Sequence, residues 1–292
     1  MSNFGLPWKK MMFYSSILFL LSLFILMGCI SFRTKDSNVQ KNYLKKGINV
    51  RIHHKAFEDT SIRWIVSGLT QEDAPILLFV HGAPGSSNAY DKYLQDTSLT
   101  SKARLISIDR LGYGYSDYGN ATTSLARQAK QLAFVAQQYP HSSKIVLIGH
   151  SFGGPIVCKA LIDYPSLANA GIILAPAVDP KHEKILWVAN FTKWKATRWL
   201  FSGALKVSSD EKFSHIEELE KMDKEWHKIT KPVIHVHGTK DQIVPYPNLA
   251  YVERKLPDSL LTAISWEDAN HLIIWNRYED IKKLILNSLY DE

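Results

Sequence analysis

Two kinds of apolar pattern run along this chain. Apolar and polar positions alternate at 49–54 and again at 62–66, which predicts a half-buried antiparallel pair of strands at the start of the fold. Short runs rich in β-branched and other apolar residues follow at 76–80, 104–108, 144–150, 172–178, 232–238 and 260–266. Their short length and polar or Gly-rich ends mark them as strands. Segments of helical periodicity lie between them, notably at 125–139 and 249–256. Strands alternating with helices in this way predict an α/β fold, a mostly parallel wound sheet flanked by helices.

The stretch from about 180 to 231 interrupts that rhythm and reads as a helical cap inserted over the sheet. Within it Trp187, Phe191, Trp194 and Phe201 recur at helical spacing, with lysines and Arg198 nearby. Three roles fit the aromatic stripe: packing on the main domain, lining an acyl or aromatic pocket, or touching a membrane interface. The acidic run at 217–225 reads as a solvated helix face.

The N-terminus has another character. Residues 1–28 hold Lys9 and Lys10, no acidic residue, and an apolar run from Met11 to Met27. A positive start followed by such a run is an export or membrane-targeting signal rather than part of the fold. It closes on Leu26-Met27-Gly28-Cys29, which resembles a bacterial lipoprotein cleavage site, implying lipidation of Cys29. An uncleaved spanning helix is the alternative. Either way the rest of the chain is expected outside the cytoplasm, tethered to a membrane of the bacterial cell envelope. Ile30 after the cysteine favours the outer membrane if the cell is Gram-negative. The expected organisation is a signal at 1–28, a lipid-anchored basic tether at 29–48 and one domain at 49–292.

Chemistry enters at Gly149-His150-Ser151-Phe152-Gly153, which ends one of the apolar runs and precedes a helix-compatible segment. Gly-x-Ser-x-Gly in a strand-to-helix setting is the form of a nucleophile elbow, where a sharp turn lifts a serine hydroxyl above the sheet. A serine hydroxyl needs a base within reach, and the base needs a carboxylate to hold its tautomer. Asp241 falls just after the strand at 232–238, and His271 just after the strand at 260–266, in the order such enzymes use. Asp179, after another strand, is the rival carboxylate. Asp268 is too close to His271 in sequence to orient it. His150 is expected to point away from the serine and to be structural.

On these residues the chain resembles an α/β-hydrolase-fold serine hydrolase of the esterase and lipase kind, from about Asn49 to the C-terminus. The resemblance implies Ser151 as nucleophile, His271 as general base and acid, and Asp241 as its orienting carboxylate. It also implies an oxyanion hole from the Phe152 amide and a second amide in the loop His81-Gly82-Ala83-Pro84-Gly85-Ser86-Ser87. Pro84 has no N–H, so Ala83 is the expected donor. His81 is expected to brace this loop. Asp109-Arg110-Leu111-Gly112-Tyr113-Gly114-Tyr115-Ser116-Asp117 resembles the family's pocket-floor loop. Such chemistry needs no cofactor and no metal. The pairs His53-His54 and His235 with His237 have no carboxylate or cysteine cluster beside them to suggest a metal site.

The implied reaction is hydrolysis of a small carboxylic ester through an acyl-enzyme. The serine argues against epoxide-hydrolase or dehalogenase chemistry, which places an aspartate there, although His81-Gly82-Ala83-Pro84 resembles the epoxide-hydrolase loop. One rival is a proline-iminopeptidase-like aminopeptidase, which would need cap carboxylates among Glu211 to Glu225 aimed at the substrate amine. Carbon–carbon bond hydrolysis would use the same triad. A non-catalytic binding or signalling protein on the same fold is a third alternative.

Composition changes this picture little. The 292 residues carry a net charge of +7, or 7 − 2 = +5 without Lys9 and Lys10. Much of the excess sits at Arg33, Lys35, Lys41, Lys45 and Lys46, where it could rest on anionic lipid headgroups. No nucleic-acid module is present. The two cysteines are Cys29 and Cys158, so a lipidated Cys29 leaves a disulfide-free fold, with Cys158 read as a small buried hydrophobe. Oligomeric state has no signature in the chain.

Overall fold

The computed structural model describes residues 32–185 and 187–290, together with Trp8, Met12, Tyr14 and Ser15. Cys29 and nearly all of the signal segment lie outside the described residues. Among the described residues no helix is long and apolar enough to cross a membrane.

Eight strands form one sheet: β1 (Val50–Phe57), β2 (Thr60–Gly68), β3 (Ile76–Val80), β4 (Arg104–Ile108), β5 (Ile145–His150), β6 (Ala170–Leu174), β7 (Val233–Gly238) and β8 (Leu261–Trp266). Their order is β1-β2-β4-β3-β5-β6-β7-β8. Only the pairings of β2, with β1 and β4, are antiparallel; the rest are parallel. β3, an unbroken apolar run, is buried along its whole length, and so is β4, where Arg104 and Ser107 are buried beside its apolar residues. One face packs against the helices Leu125–Ala136 and Gly153–Asp163, the other against the C-terminal helix Tyr278–Tyr290. Each fully buried Leu, Ile or Phe in these layers contributes about 1.5–3 kcal/mol of burial free energy.

Register places the functional loops. Val80 at the end of β3 pairs with Gly149, one residue before the end of β5, so the loop from His81 and the Ser151 turn leave the sheet side by side. β7 and β8 pair from Val233–Leu261 to Gly238–Trp266, which sends the Asp241 and His271 loops out at the same end. In a parallel sheet, ligands gather at that carboxyl end.

Three expectations change. β6 stops at Leu174 instead of running to 178, because the chain turns around the serine there. Ala175 takes φ 45°, the Ser151 N–H donates to the Leu174 carbonyl, and the Ala177 N–H donates to the Ser151 carbonyl. The segment at 29–48 is not wholly a loose tether. It contains the helix Asp36–Leu44, whose Val39 and Tyr43, one turn apart, are buried against the domain while Lys41, Lys45 and Lys46 stay exposed. Asp36 ties that helix to Arg63 (2.9 Å) and His54 (2.8 Å), and Tyr43 donates to Asp91 at 2.8 Å. The aromatic stripe is not one buried helix face. Trp194 adopts an extended backbone between two single-turn helices, and both Trp187 and Trp194 are exposed. Only Phe201 of the four is buried. The cap's main element is the 21-residue helix Gly203–Asp223, whose Ser202 side chain accepts from the Leu205 N–H.

Candidate active site

Ser151 sits between β5 and the helix Gly153–Asp163 with φ 55°, a left-handed conformation that costs a non-glycine residue free energy. The turn is tight enough to exclude side chains on either side. A Cβ at Gly149 would lie 2.4 Å from the Gly153 carbonyl oxygen, and one at Gly153 would lie 2.3 Å from that of Val80. The strain holds the hydroxyl clear of the sheet at the start of the helix.

The structure brings Ser151, His271 and Asp241 together. The Ser151 hydroxyl donates to His271 Nε2 across 2.9 Å, and His271 Nδ1–H donates to Asp241 Oδ2 across 2.7 Å. All three are buried. The other carboxylate oxygen of Asp241 accepts from the Ile243 and Val244 amides at 2.9 and 2.8 Å, which fixes its orientation. Burial acts to raise the Asp241 pKa. The imidazole of His271 and the Val244 amide outweigh it and hold the carboxyl below its usual range, so it stays ionised. Asp179 is not at this site. It accepts from the Lys181 amide and from His182 Nδ1 at 2.7 Å. Asp268 is on the surface, paired with Lys240.

Ala83 and Phe152 both border the serine on one cavity wall, and the Phe152 amide lies at the N-terminus of the elbow helix. His81 braces the loop of Ala83. Burial depresses its pKa, and the neutral ring donates from Nδ1 to the Gly82 carbonyl (2.7 Å) while Nε2 accepts from the Arg110 amide (3.1 Å).

Comparison with known proteins bears on this architecture. A family model described as alpha/beta hydrolase fold matches residues 75–200. A bacterial membrane phospholipase A superposes with a TM-score of 0.62 at 15% identity, over 97% of this chain and all of that one. The chain has the α/β-hydrolase fold. A 1-acylglycerol-3-phosphate O-acyltransferase from rice, Oryza sativa, is 29% identical over 134 residues, 43% of this chain. The chain spans only 32% of that relative's length. A proline iminopeptidase from Pestalotiopsis fici is 21% identical over 263 residues, covering 75% of this chain and 92% of its own.

In this α/β-hydrolase fold two cavities meet at the serine. An inner one of about 350 Å³ runs under the cap, with Phe152, Ala177, Phe201, Leu205 and Val244 among its walls. Its charged lining consists of Lys184 and Lys212, with no carboxylate among the described residues. An open groove of about 550 Å³ reaches the serine from outside, past His271 and Trp275. A larger cleft of about 820 Å³ lies away from the serine, between Asp179, Tyr251 and the charged end of the cap helix.

Two features escaped the sequence reading. His150 does not point away from the site: its ring lies 4.8 Å from that of His271, and its Nε2 is 2.9 Å from the His271 carbonyl. Burial lowers its pKa to about 3, so the neutral ring donates that bond. Arg110 joins the active-site loop to the cap. It donates to the carbonyls of His81 (2.9 Å) and Gly82 (3.2 Å) and forms a two-pronged ion pair with Glu211 of the cap helix at 2.7 and 3.2 Å. Glu211 also accepts from Tyr113 (2.6 Å) and Gln128 (2.7 Å), so it is fully engaged and buried. The motif Asp109-Arg110 hinted at the second feature; its partner 101 residues away had no local signal.

Cys158 is buried on the elbow helix, its thiol pushed up to about 12 by burial, which leaves it inert packing. His235 and His237 face each other at 3.2 Å, and His237 also meets the Val244 carbonyl at 3.0 Å. They buttress the Asp241 loop.

Proposed function

We propose that this chain is a membrane-tethered serine hydrolase of carboxylic esters. The observation that carries the reading is the unbroken hydrogen-bond line Ser151–His271–Asp241 on a strained elbow. Ser151 Oγ attacks the ester carbonyl and passes its proton to His271 Nε2. The Ala83 and Phe152 amides hold the oxyanion, an arrangement worth several kcal/mol in the transition state. His271 returns the proton to the leaving alcohol as its C–O bond breaks. Water, deprotonated by the same imidazole, then cleaves the acyl-serine to release the acid. Asp241 holds the ring and stabilises the imidazolium. No cofactor takes part.

The aminopeptidase alternative draws support from the iminopeptidase relative. Against it stands the position of the cap carboxylates. Glu211 is consumed by Arg110, Glu217 and Glu218 pair with Lys221, and Glu225 pairs with Lys159 and Lys228. Lys212 of the inner cavity pairs with Glu183, and a mainly apolar lining that holds no carboxylate among the described residues suits an acyl group better than a cationic amine.

The test uses the full chain in detergent micelles, comparing wild type with Ser151→Ala. Fluorophosphonate labelling should disappear in the variant, and p-nitrophenyl ester turnover should fall by roughly 10⁴-fold or more. Proline amides cleaved in preference to esters would favour the aminopeptidase. A folded wild type that takes no label would sink the hydrolase reading and bring forward a non-catalytic role.

A further inference from the structure

The groove outside Ser151 is built partly from the segment that leads to the membrane anchor. Phe32, Arg33 and Thr34 form part of its wall, opposite His271, Leu272 and Trp275. This stretch is pinned. The Arg33 guanidinium lies 4.2 and 4.3 Å from the ring centres of Tyr115 and Tyr118, and Asn88 donates its side-chain amide to the Thr34 hydroxyl. The helix Asp36–Leu44 then docks against the domain, so the chain is fixed where it meets the catalytic groove.

Cys29 precedes Phe32 by three residues. Even fully extended, that stretch spans no more than about 11 Å. A lipidated Cys29 would hold the groove mouth within that distance of the bilayer, and an apolar helix ending near Met27, five residues before Phe32, within about 18 Å.

The mouth has the surface such a position requires. Phe32 (41% exposed), Ile243 (59%), Leu272 (45%) and Trp275 (44%) come from three separate parts of the chain and converge on this one groove. Single exposed apolar residues are ordinary on soluble proteins; four gathered around one opening mark an interaction surface. An aromatic ring at the rim suits the interfacial zone of a bilayer, and the exposed Lys41 on the adjoining helix, with Lys45 and Lys46 in the turn that follows it, suits anionic headgroups.

We infer that the substrate is an acyl ester of the membrane itself, a glycerolipid that passes from the leaflet over this apolar rim into the groove at Ser151. The inference rests on the ester-hydrolase reading and gives it a substrate class. The acyl chain would enter the inner cavity past Ala83, Pro84 and Ile243, which border both spaces, while the glycerol and headgroup remain in the groove. The net reaction adds water across the ester, releasing a fatty acid and the lysolipid or free alcohol.

The experiment uses the full chain inserted in phosphatidylethanolamine and phosphatidylglycerol vesicles. Fatty-acid release from the vesicle lipid is read beside turnover of the soluble ester p-nitrophenyl butyrate. One variant is Phe32→Ser. Another carries a Gly-Ser linker of about 20 residues between Ile30 and Ser31, enough to let the domain drift roughly 25 Å from the bilayer. The expected result is vesicle-lipid hydrolysis by the wild type and a ratio of lipid to soluble-ester turnover at least about tenfold lower in both variants, with serine labelling retained. Soluble-ester turnover without lipid hydrolysis, or lipid hydrolysis indifferent to both changes, overturns the inference and leaves the ester-hydrolase reading standing. Absence of both activities and of serine labelling in the folded wild type overturns the two together.

Discussion

His150 donates a hydrogen bond from Nε2 to the main-chain carbonyl of His271, 2.9 Å away, while their rings lie 4.8 Å apart. The residue immediately before the proposed nucleophile therefore sets the position of its base. A shift of about 1 Å in such a group can cost on the order of 10²-fold in rate. His150→Ala should lower kcat by about that factor, with fluorophosphonate labelling slowed in proportion. His150→Gln, which keeps a donor, should recover much of the loss. With its pKa near 3 the imidazole is neutral throughout the working range, so the deficit should be the same at pH 6 and pH 9. An alanine variant with full kcat would remove His150 from the positioning role.

The two candidate carboxylates separate cleanly by mutation. Asp241 contacts His271, whereas Asp179 caps a turn and meets His182. Asp241→Asn should cut kcat by roughly 10⁴-fold through loss of the required tautomer. Asp179→Asn should leave kcat within a few-fold. Steady-state ester kinetics on the two variants decide it, and the reverse ranking would move the triad.

Gly153 has no room for a methyl group. A Cβ there would meet the Val80 carbonyl at 2.3 Å and that of His81 at 3.0 Å, both main-chain atoms at the mouth of the active-site loop. Gly153→Ala should therefore displace that loop and either prevent folding or lower kcat at least about 10²-fold. Near-UV circular dichroism beside ester turnover distinguishes these outcomes. A fully active, stable variant would contradict the close approach.

Arg110 and Glu211 form a buried pair between the main domain and the cap. Removing one partner leaves the other charge uncompensated in low dielectric, at a cost of about 3–5 kcal/mol. Glu211→Leu should show that loss in chemical denaturation, whereas pairing it with Arg110→Met should lose less than the two single changes summed. Additivity would mean the pair is not coupled.

Buried histidines make stability depend on pH. His81, His150, His215 and His235 are buried, and burial lowers each pKa below the ordinary value of 6.5. The unfolded chain takes up protons on these rings as pH falls through 6.5, and the folded chain does not until lower pH. Their stability contribution is complete above 6.5 and declines as pH falls towards the folded pKa values, about 3 for His150. Each ring can contribute a slope of up to about 1.4 kcal/mol per pH unit in that window. Denaturation midpoints should fall between pH 7 and pH 5, before most carboxylates titrate. A flat profile there would mean these rings are protonated in the folded protein.

Much of this was legible in the sequence. The unbroken apolar run of β3 gives a strand buried on both faces, because an apolar stretch too short for a helix must be covered from both sides. The elbow is equally local. Gly149, Ser151 and Gly153 lie within five residues, and steric crowding there acts at short range. The stripe Trp187, Phe191 and Trp194 shows where local pattern misleads. Its spacing suits one helix face, yet Trp194 takes an extended backbone between two single-turn helices, and both tryptophans are exposed.

Periodicity and short-range sterics thus determined the strands, the elbow and the loops that carry Asp241 and His271. The tertiary structure alone decided that His271 meets Asp241 rather than Asp179. It also decided that His150 holds His271, that Glu211 is spent on Arg110, and that Phe32 borders the groove at Ser151. The reason is distance along the chain. Ser151 and His271 are 120 residues apart, and Arg110 and Glu211 are 101 apart. The free energy of such contacts depends on which surfaces are desolvated together, and only the packed chain sets that.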